Sequence, residues 1–455
     1  MYAKDIKEIN EKLGIVSPKA CVVTYGCQMN ARDSEKLSGM LLEMGYEITK
    51  EPTEADLVVF NTCCVRENAE NKLYGNLGNL KERKQKDPNF KVVLCGCMMQ
   101  QDIVVEKIKQ SFSHIDIIFG THNIARFPEL LHSHLETGDL IIDIWQDAKE
   151  IVEDLPSKRE YPFKAGVNIM YGCNNFCSFC IVPFVRGRER SRRPGDIIAE
   201  ISNLVADGVS EVMLLGQNVN SYKHEDVGFV ELLHMVHDIE GLRRIRFMSS
   251  HPKDISDGVI EAFRDLPKMC KQLHLPFQAG SSRILEMMNR KHTKEWYLDL
   301  VEKVRAAVPD ITFTTDIMVG FPGETEEDFL DTIDVVRRGR FTSAFTFIYS
   351  PRFGTIAAKA EDQVNEATTK DRFNRLVKEV NGISLDIAEG KVGNTFEVMV
   401  EGANKDGTPN GRTCGGSLVH INGATLDTSP VGSYINVKIM EAKTFYLIGE
   451  IENEQ

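Results

Sequence analysis

Three cysteines fall within one short segment, Cys173-x3-Cys177-x2-Cys180 in MYGCNNFCSFC. Thiolates this close can converge on one metal centre. Free cysteine packs as a small hydrophobe but seldom recurs at such density. Structural zinc asks for four protein ligands, and neither a fourth cysteine nor a CxxH pair lies nearby. Three ligands leave an open coordination position, which is what a catalytic centre needs.

A second set is spread more widely. Cys27 in TYGCQMN, Cys63 in NTCCVR and Cys97 in CGCMMQ each close a short apolar run. If those runs are parallel strands, their C-terminal ends share one rim, where ligands of α/β sheets bind. The repeated strand-then-cysteine pattern favours a second metal cluster over three more buried thiols. The other cysteines, Cys21, Cys64, Cys95, Cys270 and Cys414, fit a packing role. Cys21 and Cys95 lie within strands, and Cys64 points away from Cys63 if its strand continues.

Positioning these cysteines falls to the elements around them. Over 1–145, the β-branched runs 20–25 (ACVVTY), 57–61 (LVVFN), 91–94 (KVVL) and 115–119 (IDIIF) alternate with helical patterns, one carrying Leu37, Met40, Leu41 and Met44 on one face and another at 104–108. This predicts a parallel sheet covered on both faces. Residues 146–160 (QDAKEIVEDLPSKRE) lack an amphipathic period and read as a linker. Over 161–388, strand-like runs at 166–170, 211–215, 244–248, 271–275, 311–319 and 344–349 alternate with helical patterns at 196–205, 230–239, 294–307 and 326–337, before a last charged helix at 370–387. Such βα units predict an α/β barrel or partial barrel whose chemistry sits at the C-terminal ends of the strands. Over 389–455, short strands at 396–400, 418–421 and 434–439 are separated by turn signals such as Lys405-Asp406-Gly407. A small all-β domain that closes its own edges fits this pattern.

The composition is that of a globular protein: 455 residues, 42% hydrophobic and 27% charged. Collagenous, low-complexity and mostly disordered classes are excluded. A formal charge of -13 and a pI near 5.5 mean that the molecule repels nucleic acid at long range, so an RNA site must be a local basic patch. The 11 cysteines are an odd number in a chain without a secretion signal, which points to thiolate ligation rather than a disulfide framework. No apolar run approaches the roughly 18 residues of a membrane span, and a cytoplasmic location is expected.

The C-x3-C-x2-C at the end of a first barrel strand resembles the radical S-adenosylmethionine (SAM) superfamily. Taken with TYGCQMN, NTCCVR, GCMMQ, LLGQNVNSY, HLPFQAGSSRIL, TTDIMVGFPGET, YSPRFGT and GRTCGGS, in this order over nearly the whole chain, it resembles the methylthiotransferase family, in the branch that modifies tRNA. The resemblance implies an N-terminal parallel α/β domain, a central (β/α)6 partial barrel and a C-terminal RNA-binding TRAM domain. It implies two 4Fe-4S clusters, one on Cys173, Cys177 and Cys180 that binds and cleaves SAM, and an auxiliary one on Cys27, Cys63 and Cys97 that carries sulfur. The implied reaction places a methylthio group at C2 of N6-isopentenyladenosine, next to the anticodon (position 37). One SAM would serve as methyl donor and another as source of the 5′-deoxyadenosyl radical. An aromatic C2–H has no useful acidity, so a carbon radical suits the step where a base does not.

Further residues follow from that reading. Gly216, Gln217 and Asn218 after the second barrel strand, and Asp316 on the fifth, are candidates to grip SAM, beside the alternative of loop or packing roles. Arg186, Arg188, Arg190, Arg192 and Arg193 in VRGRERSRRPGD are candidates to contact tRNA phosphates, beside a solvated face. Phe176, Phe179 and Phe184 would stack, line a prenyl pocket or pack. The Gly320-Phe321-Pro322-Gly323 turn reads as structural, with glycines at positive φ. The segment after 390 has more acidic than basic residues, so its charge gives an RNA role no support beyond a local face at Lys405 and Arg412. Partners are therefore tRNA bearing N6-isopentenyladenosine, together with an electron donor and a sulfur donor that the sequence does not identify, and no membrane. Alternatives are methylthiotransferases acting on a ribosomal-protein Asp or on threonylcarbamoyl-adenosine, and a non-catalytic iron–sulfur or zinc RNA-binding protein.

Overall fold

The computed structural model describes every residue except 1, 65, 66, 148–150, 153 and 453–455, and for 67–69 the backbone alone. Part of the expected linker, the last residues of the expected C-terminal domain and the Val65-Arg66 end of NTCCVR therefore lie outside the described residues. The chain forms two compact units: Met1–Glu160 with Tyr171–Asn174 and Cys180–Arg190, and Tyr161–Met170 with Asn175–Phe179 and Ser191–Gln455.

The first unit is built on a parallel sheet of β1 (Lys19–Thr24), β2 (Glu47–Ile48), β3 (Leu57–Thr62), β4 (Lys91–Gly96), β5 (Ile117–Phe119) and β6 (Ile141–Asp143), in the order β2-β1-β3-β4-β5-β6. Alternation along β3 sends Leu57 and Val59 into one core with Leu37, Leu41, Phe127 and Leu131, and Val58 and Phe60 into the other with Leu73, Leu77, Val104 and Ile108. Both faces are thus covered by helices, which is why the strands read as continuous apolar runs. The sequence reading passed over β2 and β6, which are too short to carry a pattern, and the helices Tyr2–Lys12, Glu67–Lys86 and Phe127–Thr137. Segment Cys180–Arg190 falls in this unit rather than with the barrel, because Ile181 and Val185 enter the core of Met98 and Met99 and the Val185 carbonyl accepts from Thr121 Oγ1 at 3.0 Å.

In the second unit, Lys164–Asn168, Glu211–Leu215 and Arg244–Phe247 form one three-stranded parallel sheet, and Gln272–His274, Thr312–Val319 and Ser343–Ile348 form another. Among the described residues an isolated parallel bridge, Ile245–Met269, links the first sheet to the segment that leads into Gln272–His274. Among the described residues no ladder returns from Ser343–Ile348 to Lys164–Asn168, so the barrel is partial. Helices such as Pro194–Ala206, Phe229–His237, Lys294–Ala307 and Glu326–Gly339 pack on its outside, followed by Glu366–Glu389. The turn after Thr312–Val319 does use positive φ, 76° at Gly320 and 73° at Gly323.

The C-terminal strands Thr395–Ala403, Pro409–Thr413, Leu418–Asn422, Tyr434–Ala442 and Leu447–Ile451 close into a barrel around Val398, Val400, Val419, Ile421, Val437 and Ile439. Two of these strands escape a sequence reading, since PNGRT reads as a turn and LIGEI is interrupted by glycine. This barrel is seated on the beginnings of the parallel strands: Lys164 pairs with Glu401 at 2.7 Å, Arg244 Nη2 with Glu397 Oε1 at 3.0 Å, and Arg246 donates to the Thr413 and Cys414 carbonyls. The C-terminal ends of those strands lie at the other end of the sheet.

Candidate iron–sulfur and SAM sites

Within the first unit, Cys27, Cys63 and Cys97 stand directly beyond β1, β3 and β4, which are neighbours in the sheet. The register aligns Thr24 with Asn61 and Thr62 with Gly96, so Cys63 and Cys97 leave their strands at the same level. Cys27 is exposed and caps the helix Gln28–Glu43, while Cys63 and Cys97 are buried. Gly26 has a φ of 143°, and a Cβ there would stand 2.9 Å from Cys63 Cβ. Glycine is what lets the first two cysteine loops approach.

A buried amide network sets the spacing of these loops. Asn30 Nδ2 donates to the Thr62 carbonyl at 3.0 Å and Asn61 Nδ2 to the Asn30 carbonyl at 2.9 Å and to Ser34 Oγ at 3.0 Å. Cys27 Sγ lies 3.4 Å from Asn30 Oδ1 as a donor. Asn30 and Asn61 stand inside TYGCQMN and NTCCVR, whose cysteines alone point to a role. The available signal is that each is an amide within three residues of a cysteine, Asn61 at the end of β3 and Asn30 in the first turn of Gln28–Glu43, where backbone groups need partners.

Cys64 packs in the core with Phe60, Leu73 and Leu94, the place expected of it, and has a polar contact as well. The strand ends at Thr62, so alternation no longer applies, and the Cys64 thiol hydrogen-bonds Cys97. That bond pulls the Cys97 thiol below its ordinary range, with Arg186 assisting and burial opposing, and it pushes Cys64 well up, with burial adding. Burial raises Cys21 and Cys95, as packing cysteines require. The donor set fits an iron–sulfur cluster: one thiol per strand along one rim, one of them held toward the thiolate that binds iron. Among the described residues no three His, Cys, Asp or Glu side chains close around a single ion. A four-iron cluster does not ask for that, because each ligand binds a different iron.

The cluster motif of the barrel is divided between the units, with Cys173 and Cys180 in segments of the first and Cys177 in the second. In the first unit Cys173 donates its N–H to the Gly187 carbonyl at 3.1 Å, and Asn174 and Glu189 exchange backbone-to-side-chain bonds. In the second unit Cys177 Sγ accepts from Arg290 Nη1 at 3.7 Å, Asn289 Nδ2 donates to the Phe176 carbonyl at 2.9 Å, and Ser178 bonds the Met287 and Met288 carbonyls. The helix Ser282–Met287 of the SSRIL motif thereby anchors the loop. Phe179 packs against the core of Ile284 and Phe321, and Phe184 is 55% exposed.

Of the candidates to grip SAM, Asn218 is buried beyond Glu211–Leu215, its Nδ2 donating to Asp254 Oδ2 at 2.7 Å and its Oδ1 unpartnered. Gly216 is buried and Gln217 half-buried in the same loop. On the adjacent strand's end, Ser250 Oγ and His251 Nε2 are also buried without a partner, and the sequence reading did not single them out. Burial, with Arg290 nearby, pushes His251 down to about 2, so its ring is neutral. Its Nδ1 accepts from the Lys253 N–H, which leaves Nε2–H a donor in need of an acceptor. These orphaned groups at the C-terminal ends of neighbouring strands fit a polar ligand such as SAM. Asp316 lies on Thr312–Val319 in the other sheet, its carboxylate 3.6 Å from His274 Nε2.

The arginine run divides. Arg188 and Arg193 are exposed and Arg190 is half-buried, its Nη2 donating to the Arg186 carbonyl at 3.2 Å. Arg186 and Arg192 are buried at 5% exposure each, which removes both from an RNA contact. Arg192 Nη1 is spent on the Asn168 carbonyl and Glu200. Arg186 is spent on Cys97 and Asp33. On the C-terminal barrel, Arg412 pairs with Glu401 at 3.2 Å, so the local basic face expected there is partly neutralised.

Three domain families match the chain: Uncharacterized protein family UPF0004 over residues 19–120, Radical SAM superfamily over 167–336 and TRAM domain over 389–451. The chain is 54% identical over 460 residues to the tRNA-2-methylthio-N(6)-dimethylallyladenosine synthase of Clostridioides difficile (strain 630), covering 99% of this chain and 96% of that protein. It belongs to the radical SAM tRNA methylthiotransferase family. The synthase of the same name from Acetivibrio thermocellus is 52% identical, with 99% and 95% covered. In fold, the radical SAM methyltransferase TsrM from Kitasatospora setae, solved with cobalamin and a [4Fe-4S] cluster, is similar with a TM-score of 0.53 at 14% identity, over 84% of this chain and 77% of that one. As in the rest of the family, two 4Fe-4S clusters and SAM are the cofactors.

Proposed function

We propose that this chain methylthiolates C2 of N6-isopentenyladenosine at position 37 of tRNA. The observation that carries the reading is the row of Cys27, Cys63 and Cys97 on three adjacent parallel strands, in a chain that keeps full-length identity above one half to the synthase named above. When bound, the clusters and SAM supply the sulfur, the methyl group and the carbon radical. The chain supplies their ligands, with Cys27, Cys63 and Cys97 for the auxiliary cluster and Cys173, Cys177 and Cys180 for the SAM-binding one. Asn218, Ser250 and His251 hold polar groups of SAM at the barrel mouth. Gly216 and Gln217 give backbone and amide contacts in the same loop, and Asp316 approaches from the fifth strand. Arg188, Arg190 and Arg193 meet tRNA phosphates.

The division into 1–145, 146–160, 161–388 and 389–455 is our reading of the domains, with the last as the TRAM domain. No helix among the described residues is long and apolar enough to cross a membrane, and we place the protein in the cytoplasm with its tRNA. Anaerobic reconstitution and reduction, incubation with SAM and with isopentenylated or unmodified tRNA, and nucleoside mass analysis test the whole. The methylthio product is expected from the isopentenylated tRNA alone, and no product from either overturns the reading.

A further inference from the structure

Arg186 carries more than packing requires. Its backbone N–H closes the turn Val182–Val185 on the Val182 carbonyl at 2.8 Å, and from there the side chain enters the core of the first unit. Nε donates to Cys97 Sγ at 3.1 Å and Nη2 donates to Asp33 Oδ2 at 2.9 Å. Asp33 lies on the helix Gln28–Glu43 that Cys27 caps. One guanidinium thus ties the sulfur beyond β4 to the helix that starts at the cysteine beyond β1. Desolvating a guanidinium is costly, and an apolar side chain would fill the same space without that cost. The planar fork is also the side chain that can face a sulfur and a carboxylate at once.

We propose that Arg186 is a positioning residue that raises the reduction potential of the auxiliary cluster through its N–H bond to the Cys97 sulfur, with Asp33 as the opposing charge that moderates it. The proposal rests on the assignment of Cys27, Cys63 and Cys97 as that cluster's ligands. Reduction adds an electron to a centre whose thiolates are already negative. A hydrogen-bond donor and a cation at a ligand sulfur favour the reduced form, and a buried carboxylate nearby favours the oxidised form. Low local dielectric makes both effects larger than they would be in water.

The test uses the full chain with Cys173, Cys177 and Cys180 replaced by Ala, so that a single cluster remains after anaerobic reconstitution. Iron content and visible absorption come first: no cluster in this background overturns the ligand assignment itself, independently of Arg186. In loaded protein the midpoint potential is read by a dye-equilibrated titration followed by electron paramagnetic resonance. Arg186→Met is expected to disfavour reduction by about tenfold, or about 59 mV for a one-electron couple. Arg186→Lys should fall between, because it keeps the charge and loses the Nε–H. Asp33→Asn should move the potential the other way. Loosened packing would shift Arg186→Met and Asp33→Asn in the same direction, so unchanged potentials or shifts of one sign overturn the proposal. Should Arg186→Met fail to fold or load, Arg186→Lys and Asp33→Asn carry the same opposed signs, and no rise in Asp33→Asn overturns it.

Discussion

Asn61 and Asn30 hold each other across the cysteine rim: Asn61 Nδ2 donates to the Asn30 carbonyl at 2.9 Å, and Asn30 Nδ2 lies 3.2 Å from Asn61 Oδ1. Both are buried, and Asn30 also satisfies the Thr62 carbonyl next to Cys63. Asn30→Ala leaves Asn61 Oδ1 and that carbonyl without their donor, while the backbone carbonyl at position 30 still accepts from Asn61 Nδ2. A loss of about 1–3 kcal/mol in denaturant unfolding is expected. Iron bound by the variant lacking the barrel cysteines should fall as well, because Cys27 and Cys63 lose their common spacer. Full stability with full iron would refute the network's role.

Exposure sorts the arginine run into two groups with different expected effects. Arg188→Ala with Arg193→Ala should weaken tRNA binding and lower the logarithmic salt slope by about 1–2, at roughly 0.7–0.9 per neutralised phosphate. Arg192→Ala should instead lower stability, since its guanidinium is buried on Glu200 and the Asn168 carbonyl. Filter binding of tRNA over a salt series reads the first, and thermal unfolding the second. An unchanged slope returns Arg188 and Arg193 to the solvated face.

A buried ion pair underlies the Gly320–Gly323 turn. Glu324 Oε1 accepts from Arg372 Nη1 at 2.8 Å and from the Gly320 N–H at 3.1 Å, which fastens the turn to the helix Glu366–Glu389. Removing one partner strands a buried charge, so Arg372→Met is expected to cost about 3–5 kcal/mol, while the double variant with Glu324→Gln should recover much of that loss. Denaturant unfolding of the three variants gives the coupling directly, and additive losses would contradict it.

The sheet, the barrel units and the row of Cys27, Cys63 and Cys97 at strand ends were legible because each depends on local signals: β-branched runs, helical period and a cysteine just past a strand. What stayed hidden depends on three-dimensional proximity. Arg186 sits in an arginine-rich run whose composition reads as a nucleic-acid face, and only its burial against Cys97 separates it from exposed Arg188. Cys64 and Cys97 are distant in sequence, as are Cys270 and Cys414, whose shared hydrogen bond lies where the C-terminal barrel meets Arg246. Ser250 and His251 look like ordinary loop residues in SSHPKD until their buried, unpartnered atoms are seen. The strand Pro409–Thr413 was missed because barrel closure overrides the turn preference of Pro-Asn-Gly.

The decisive chemical prediction concerns the row Cys27, Cys63 and Cys97. Replacing all three by Ala removes the proposed ligands of the auxiliary cluster and leaves Cys173, Cys177 and Cys180, together with the barrel-mouth groups Asn218, Ser250 and His251, in place. Reduced protein should still cleave SAM to 5′-deoxyadenosine, and should make no methylthio product because no iron-bound sulfur is available. If the three thiols only packed, the variant would instead contain small cavities costing on the order of 1 kcal/mol each, with the folded fraction still forming product. Cys27 sharpens the distinction, since it is exposed and its loss would leave hardly any cavity at all. Cys27→Ala alone should therefore abolish product at nearly unchanged stability, a combination that packing cannot give. Iron content, 5′-deoxyadenosine and nucleoside product measured on the same folded sample decide the matter, and normal iron with normal product would refute the auxiliary cluster.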